Sequence, residues 1–195
     1  MLILASSSPR RKEILDFFSI PYKQANPDFD ESSLPFKGDP KAFVKRLSKE
    51  KALSLVKTHP KEIILAADTL VYFEGKVLGK PRDLDEAFEM LCKLQGKWHE
   101  VYTGITVMNP NHQITDVEES RILFKDCSES EIKKYIESIF CLDKAGSYAI
   151  QAAGNIMIEK MEGCFYNTCG LPINALERSL KVLGLSLWNY LKSPS

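Results

Sequence analysis

Residues 1–15 read MLILASSSPRRKEIL, an apolar run that is followed at once by serines, a proline and charged side chains. The apolar run predicts a strand. Ser8 can cap a helix and Pro9 suits a first helical turn, so a helix is expected directly after the strand. We expect this helix to continue to about Phe18. The chain therefore begins with a strand followed by a helix.

The same alternation continues along the chain. Residues 62–67 (EIILAA) form an apolar run that is typical of a strand covered on both faces, and residues 74–75 (EG) predict a hairpin turn. Because strands and helices alternate without an internal repeat or linker, we expect the α/β class and one domain over residues 1–195. The other predicted strands are 21–26, 97–108, 113–125, 147–151 and 155–160, and the other predicted helices are 40–57, 84–94, 129–139, 172–183 and 185–191.

The composition is that of an ordinary globular protein, with 44% hydrophobic residues, 27% charged residues and zero net charge. It excludes a disordered chain and argues against a non-specific nucleic-acid binder, which normally carries a basic excess. The cysteines and histidines show no zinc-binding spacing. No apolar run approaches the roughly 18 residues of a membrane span. We therefore expect a cytoplasmic protein with free thiols, with neither a nucleic acid nor a membrane as partner.

Residues 6–11, SSSPRR, lie at the predicted start of the first helix. Free backbone N–H groups and the helix dipole make such a start a site for anions. Arg10 and Arg11 add guanidinium groups, which suit phosphate. The alternative is an ordinary capped helix with solvated arginines, and these residues alone do not decide between the two.

Asp68 ends an apolar strand in residues 66–69, AADT. Ligands of open α/β sheets bind outside the carboxyl ends of strands, where a carboxylate can hold a hard metal ion or activate water. Glu31, in a long polar loop, could supply a second carboxylate. The alternatives are an aspartate that caps a turn and an acidic pair on the surface.

Further polar residues could complete a nucleotide site. Lys51, Lys80 and Lys144 could add the positive charge that a triphosphate requires. Gln151, at the end of a predicted strand, could present a donor and an acceptor to the edge of a nucleobase. For Lys51 and Gln151 the alternative is a solvated surface position, whereas Lys80 lies between Gly79 and Pro81 in a turn that is too constrained for an ordinary surface lysine.

These segments together resemble the Maf family of nucleoside triphosphate pyrophosphatases, and they occur in the family's order from Leu4 to Pro172. The matching stretches are LASSSPRRKEIL, the Asp30-Glu31 pair, KEKA, AADTLV, GKPRD, GKWHEVYTG, DKAGSYAIQ and GLP. The resemblance implies an elongated α/β fold with a mixed, twisted sheet flanked by helices, as in the inosine triphosphatases. It also implies hydrolysis between the α and β phosphates, which yields a nucleoside monophosphate and pyrophosphate, with a divalent cation (Mg²⁺ or Mn²⁺).

The resemblance also assigns roles position by position. It places the family's proton acceptor on Asp68, which together with Glu31 would hold the metal. Phosphate contacts fall on Ser6, Ser8, Arg10, Lys51 and Lys80. Substrate choice falls on Arg11, Thr69 and Gln151, and at these three positions the chain is similar to the dTTP/UTP branch rather than the 7-methyl-GTP branch.

Three segments depart from the family pattern without removing a charged site residue. They are Ser7, the pair Ala152-Ala153 and the triplet Asn167-Thr168-Cys169. Two other functions stay open: a non-catalytic nucleotide-binding regulator of cell division, and an α/β phosphohydrolase that releases orthophosphate. The expected partner is a nucleoside triphosphate, and a homodimer is one alternative for the oligomeric state.

Overall fold

The computed structural model describes residues 1–191, in which seven strands form one sheet and helices cover both of its faces. The strands are β1 (Leu2–Ala5), β2 (Tyr22–Ala25), β3 (Ile63–Phe73), β4 (Lys76–Leu78), β5 (Trp98–Met108), β6 (Gln113–Phe124) and β7 (Ile158–Gly163). The α-helices are α1 (Pro9–Phe17), α2 (Pro40–Leu53), α3 (Leu84–Leu94), α4 (Glu129–Ser138), α5 (Phe165–Thr168) and α6 (Ile173–Val182). Short 3₁₀ helices lie at Glu31–Ser33, Ala145–Ser147, Ala152–Met157 and Leu187–Tyr190.

The sheet combines parallel and antiparallel pairs. Its strand order is β2-β1-β3-β5-β6-β7, and β4 pairs with β3 beside this path. β1 runs parallel to β2 and β3, whereas β5, β6 and β7 each run antiparallel to the preceding strand in that order. The predicted α/β class, with a mixed sheet flanked by helices, is therefore confirmed.

β3 has one edge that is only partly paired. On this edge, β1 pairs with residues 63–66 and β4 pairs with residues 71–73. No strand in the described part of the chain pairs with residues 67–70 on that side. Asp68 and Thr69 therefore lie at an opening in the sheet, between the end of β1 and the start of β4.

The prediction that Asp68 ends its strand is wrong. β3 continues for five residues beyond Asp68, to Phe73, because its other edge stays paired with β5 as far as Tyr72. The strand that ends beside Asp68 is β1, whose last residue, Ala5, pairs with Ala66. Asp68 thus lies just past the carboxyl end of a parallel neighbour rather than at the end of its own strand.

Successive side chains of β3 point to opposite faces of the sheet, as in any strand. Asp68 and Leu70 face α2, where Leu70 packs with Val44. Thr69 and Val71 face the other side, which α1 and the main hydrophobic cluster cover. One short stretch of strand therefore supplies polar groups to both sides of the opening.

α2 lies directly on the sheet at Gly104, the residue of β5 that pairs with Asp68. A Cβ atom at Gly104 would overlap the backbone carbonyl group of Val44 in α2, so the helix occupies the space that a side chain would need. Lys51 follows Val44 by about two helical turns and emerges on the same side of α2. The absence of a side chain at Gly104 therefore lets α2 bring Lys51 close to the sheet.

The predicted end of α2 at residue 57 is corrected to Leu53. The hydroxyl of Ser54 donates a hydrogen bond of 2.8 Å to the carbonyl oxygen of Lys51. Serine side chains that bond to nearby backbone groups in this way compete with continuation of a helix. The helix consequently stops soon after it has presented Lys51.

The strand predicted at 147–151 does not form, since residues 148–151 are irregular, and the strand predicted at 155–160 begins only at Ile158, because a 3₁₀ helix occupies Ala152–Met157. The backbone here bonds to groups outside the sheet. The N–H of Ala149 donates to the hydroxyl of Tyr135 at 3.2 Å, a partner that is distant in sequence. The pattern of hydrophobic residues within the segment cannot reveal a hydrogen-bond partner in another part of the chain.

Two predictions about the whole chain can be compared with the structure. All five cysteines carry free thiols, as expected. Within residues 1–191, no helix combines the length and the apolar character that crossing a membrane requires.

His99 is a fully buried titratable group in β5. Its Nε2 atom lies 2.8 Å from the hydroxyl of Tyr148, and its ring packs edge-on against Phe124. Burial lowers the pKa of His99 from 6.5 to about 4. The folded state therefore holds a neutral imidazole at a pH where the unfolded chain binds a proton.

This burial predicts a pH-dependent stability. Because the unfolded chain binds more protons between pH 6.5 and about 4, stability should be complete above pH 6.5 and fall as the pH drops through that window. From pH 7.5 to pH 5, His99 should account for a loss of about 2 kcal/mol in the free energy of unfolding. Urea unfolding at both pH values, with the His99→Gln variant as control, measures this loss. Equal pH slopes in the two proteins would contradict the assignment.

Candidate functional site

A cleft of about 550 Å³ opens at the partly paired edge of β3. It is bounded by the start of α1, the loop after β2, the end of α2, and the segments that follow β4, α4 and α5. Most of the predicted site residues line it: Ser6, Ser8, Arg10, Arg11, Glu31, Lys51, Asp68, Thr69 and Lys80. The fold therefore brings together in one cavity residues that are far apart in the sequence.

The start of α1 forms one wall of the cleft. Ser8 is the N-cap residue of this helix, yet its hydroxyl makes no capping hydrogen bond, and its N–H donates to Ser6 Oγ at 3.2 Å. The hydroxyl of Ser8 and the guanidinium of Arg10 are half-buried at the cleft surface. These donors, with the positive end of the helix dipole, suit an anionic group.

Two carboxylates meet one buried lysine in the opposite wall. Lys51 Nζ lies 2.5 Å from Asp68 Oδ1 and 2.8 Å from Glu31 Oε1. The side chains of Lys51 and Asp68 are only 9% and 10% exposed, whereas that of Glu31 is 58% exposed. No side-chain hydrogen bond within residues 1–191 reaches Asp68 Oδ2 or Glu31 Oε2. One oxygen of each carboxylate is therefore available to a ligand.

Arg11 is held by three hydrogen bonds. Its Nε donates to the carbonyl oxygen of Gly170 at 2.7 Å, its Nη1 to Ser6 Oγ at 2.9 Å, and its Nη2 to Thr69 Oγ1 at 3.2 Å. Burial lowers the pKa of the Arg11 guanidinium, and the nearby carboxylate of Asp68 opposes that shift. Because arginine stays charged at any physiological pH, Arg11 is a fixed cation in the cleft wall.

Two lysines predicted to add positive charge lie in different settings. Lys80 lines the cleft and is exposed. Lys144 bonds instead to its own loop, with Nζ 2.5 Å from both Asp143 Oδ1 and the carbonyl oxygen of Phe140. Lys80 can therefore reach an anion in the cleft, whereas the ammonium of Lys144 is already paired.

Gln151, like Lys144, is a predicted residue that does not line the cleft. It is half-buried and precedes a 3₁₀ helix rather than ending a strand. Its neighbour Ile150 lines the cleft in its place.

Comparison with known proteins identifies the family of the chain. The family model described as "Maf-like protein" matches residues 1–183, nearly the whole chain. The chain belongs to the Maf family. The resemblance read from the sequence is thereby confirmed.

Relatives of this Maf-family chain cover almost its full length. A dTTP/UTP pyrophosphatase of Chlamydia caviae is 41% identical over 191 residues, which are 97% of this chain and 97% of that protein. A dTTP/UTP pyrophosphatase of Thermosipho melanesiensis is 47% identical over 175 residues, 90% of this chain and 93% of that protein. Among solved structures, that of the Staphylococcus aureus Ham1 protein covers 64% of this chain and 72% of its own, with a TM-score of 0.46 and 15% identity.

The cleft and the wall behind it contain residues to which the sequence alone assigned no role. The hydroxyl of Thr103 lies 2.9 Å from that of Thr69, and the two residues are directly opposite each other on β5 and β3. Gly170 supplies the carbonyl group that Arg11 bonds, and Tyr148 lines the cleft. The pairing register of β3 and β5 is the signal that could have identified Thr103.

Proposed function

We propose that this protein hydrolyses nucleoside triphosphates, with dTTP and UTP preferred, between the α and β phosphates. The observation that carries the proposal is the buried Lys51 held between the carboxylates of Glu31 and Asp68, in the same cleft as the start of α1. Phosphate binding alone would be served by cations, whereas carboxylates beside an anionic ligand suit a metal ion and an attacking water. The names of the relatives in Chlamydia caviae and Thermosipho melanesiensis support the same reaction.

The phosphates would be held by the groups at the start of α1. Ser6, Ser8 and Arg10 line the cleft there, and Lys80 lines it as well. A bound triphosphate brings about four negative charges, which these donors and cations would offset. Such preorganised groups stabilise the charge that develops on the leaving pyrophosphate.

Asp68 would accept the proton of the attacking water. Its Oδ1 is bonded to Lys51, which fixes the side chain, and its Oδ2 has no partner among the described residues. A fixed carboxylate with one available oxygen has the geometry of a general base. Lys51 would keep this carboxylate oriented and offset part of the charge in the buried wall.

The residues present fit a divalent cation. In the part of the chain that the structure describes, no group of three or more His, Cys, Asp or Glu side chains could hold an ion by itself. Magnesium is commonly bound by one or two carboxylates together with substrate phosphates and waters, so Glu31 and Asp68 suffice for an ion that arrives with the nucleotide. When bound, Mg²⁺ or Mn²⁺ would polarise the phosphate oxygens.

This reading predicts a metal requirement that depends on Glu31. Activity should require added Mg²⁺ or Mn²⁺, and Glu31→Gln should raise the metal concentration needed for half-maximal turnover, because one charged oxygen ligand is lost. Pyrophosphate release is measured across a metal titration for both proteins. Full activity in excess EDTA, or identical titration curves, would contradict the metal assignment.

Substrate choice is proposed to depend on Arg11 and Thr69, which the structure joins by a hydrogen bond in the cleft wall. A contribution of Gln151 stays a prediction, and it requires the segment beside Ile150 to present that side chain to the base. A site that hydrogen-bonds a nucleobase rejects analogues that leave its polar groups unpaired.

A nucleotide panel with product identification tests the proposed function. We expect dTTP and UTP to be hydrolysed faster than ATP, GTP and 7-methyl-GTP, with a monophosphate and pyrophosphate as products. A non-catalytic regulator would bind nucleotide without releasing either product. A phosphohydrolase that cleaves the terminal phosphate would release orthophosphate and a diphosphate.

Three broader properties are proposed with this function. The single sheet in residues 1–191 supports one domain for the predicted span 1–195, of which 192–195 lie outside the described residues. A nucleoside triphosphate is the proposed partner, without nucleic acid or membrane, and a homodimer stays a prediction. Cytoplasmic location also stays a prediction.

A further inference from the structure

Thr103 is a buried polar residue beside the proposed base-selecting side chains. It has no exposed surface, and its hydroxyl lies 2.9 Å from that of Thr69 on the adjacent strand. On its other side, Thr103 Oγ1 lies 2.9 Å from the backbone carbonyl oxygen of Asn167 in α5. Thr103 therefore links the cleft wall to a fixed backbone acceptor behind it.

The hydroxyl protons of Thr103 and Thr69 can be assigned, because each hydroxyl has a single proton to donate. A carbonyl oxygen can only accept, so the bond between Thr103 and Asn167 uses the single proton of the Thr103 hydroxyl. Thr103 then has no proton left for Thr69. In the bond between the two threonines, Thr69 must therefore be the donor.

Arg11 also forms a hydrogen bond with the Thr69 hydroxyl. Arg11 Nη2 donates to Thr69 Oγ1 at 3.2 Å and so occupies one of its two lone pairs. The proton of Thr69 points to Thr103, and one lone pair is left. Since Thr69 lines the cleft, this hydroxyl can only accept a hydrogen bond from a ligand.

We propose that Thr103 is a specificity-positioning residue that fixes Thr69 as an acceptor and thereby favours bases with a ring N–H donor over bases with a ring acceptor. Uracil and thymine carry such an N–H at position 3, whereas cytosine has an unprotonated nitrogen there. The inference rests on the proposed function and names how the same site would discriminate among pyrimidines. Thr103 itself touches no ligand in this proposal and acts through Thr69.

Thr103→Val tests the proposal with little change in shape. Valine removes the hydroxyl, so the Thr69 proton is released and can be donated to an acceptor in the cleft. The carbonyl oxygen of Asn167 keeps a partner, because the N–H of Gly170 also donates to it at 2.9 Å. Thr103→Ser is the matched control, since serine retains the hydroxyl. Thr103→Ala replaces the valine variant if melting shows that valine is not tolerated.

The experiment measures kcat/KM for UTP and CTP, and the dissociation constants of UMP and CMP by calorimetry. We expect the wild type to prefer uracil, Thr103→Val to reduce that preference at least about fivefold, and Thr103→Ser to restore it. The inference is overturned if Thr103→Val keeps the wild-type preference for uracil, or if Thr103→Ser loses it as the valine variant does. It is also overturned if the wild-type protein binds UMP and CMP equally well. If no nucleotide is turned over, the proposed function is refuted but the inference about Thr103 is not. The ratio of the dissociation constants for UMP and CMP still tests that inference.

Discussion

Replacing Asp68 with asparagine should lower the turnover of the preferred nucleotide at least ~100-fold while the protein stays folded. The side chain is buried, keeps one oxygen for Lys51 and leaves the other without a partner among the described residues. Asparagine preserves the shape and the bond to Lys51. Its neutral amide cannot take a proton from water, and it offers a cation no negative charge. The measurement is the initial rate of pyrophosphate release at saturating metal, together with thermal melting.

Asp143→Asn provides the control for Asp68. Asp143 lines the same cleft, but its carboxylate bonds to Lys144 and has no proposed role in the reaction. A loss of charge near the cleft should therefore have a small effect at Asp143 and a large one at Asp68. Near-normal turnover of a folded Asp68→Asn protein, or equal losses in the two variants, would refute the assignment of Asp68 as the proton acceptor.

Gly104→Ala should cause the second large effect, on both stability and turnover. The added Cβ atom would overlap the Val44 carbonyl group of α2, which is backbone and cannot rotate away. The helix must shift, at a cost of about 1–3 kcal/mol or more in the free energy of unfolding. Because Lys51 is carried on the same helix, a displacement of about 1 Å would also reduce turnover by up to ~100-fold.

Gly79→Ala is the matched control for Gly104→Ala. A Cβ atom at Gly79 would meet no atom within 4 Å, and the backbone there does not require glycine. The melting temperature of this variant should stay close to that of the wild type. If Gly104→Ala also melts like the wild type, the close approach of α2 does not constrain the site as described.

Local sequence signals predicted much of the architecture. Ser8-Pro9 marked the start of α1, and the helix predicted from residue 129 begins at Glu129, after a capping box in which Ser128 and Glu131 make both hydrogen bonds. The capping box works because the groups that bond are within a few residues of each other. Ser8 makes no such bond, and the signal there is Pro9, whose fixed φ angle suits the first helical turn.

Longer-range pairing limited what the sequence could predict. The continuation of β3 past Asp68 depends on its register with β5, and the irregular course near Ala149 depends on a bond to Tyr135. The charged site residues were identifiable because their resemblance to a family placed them. Thr103 and Gly104 lie in the matching stretch GKWHEVYTG, but no role was assigned to them, because their importance comes from what faces them in the folded chain.

The alternating side chains of β3 separate two tasks that a hydrolase must perform. Asp68 points towards α2 and the proposed proton transfer, whereas Thr69 points towards α1, Thr103 and the proposed choice of base. Neighbouring residues on one strand thus face two different environments. Changes behind Thr69 could redirect such an enzyme to a different nucleotide while the machinery around Asp68 stays intact, which makes this face of β3 the natural place to begin a redesign of specificity.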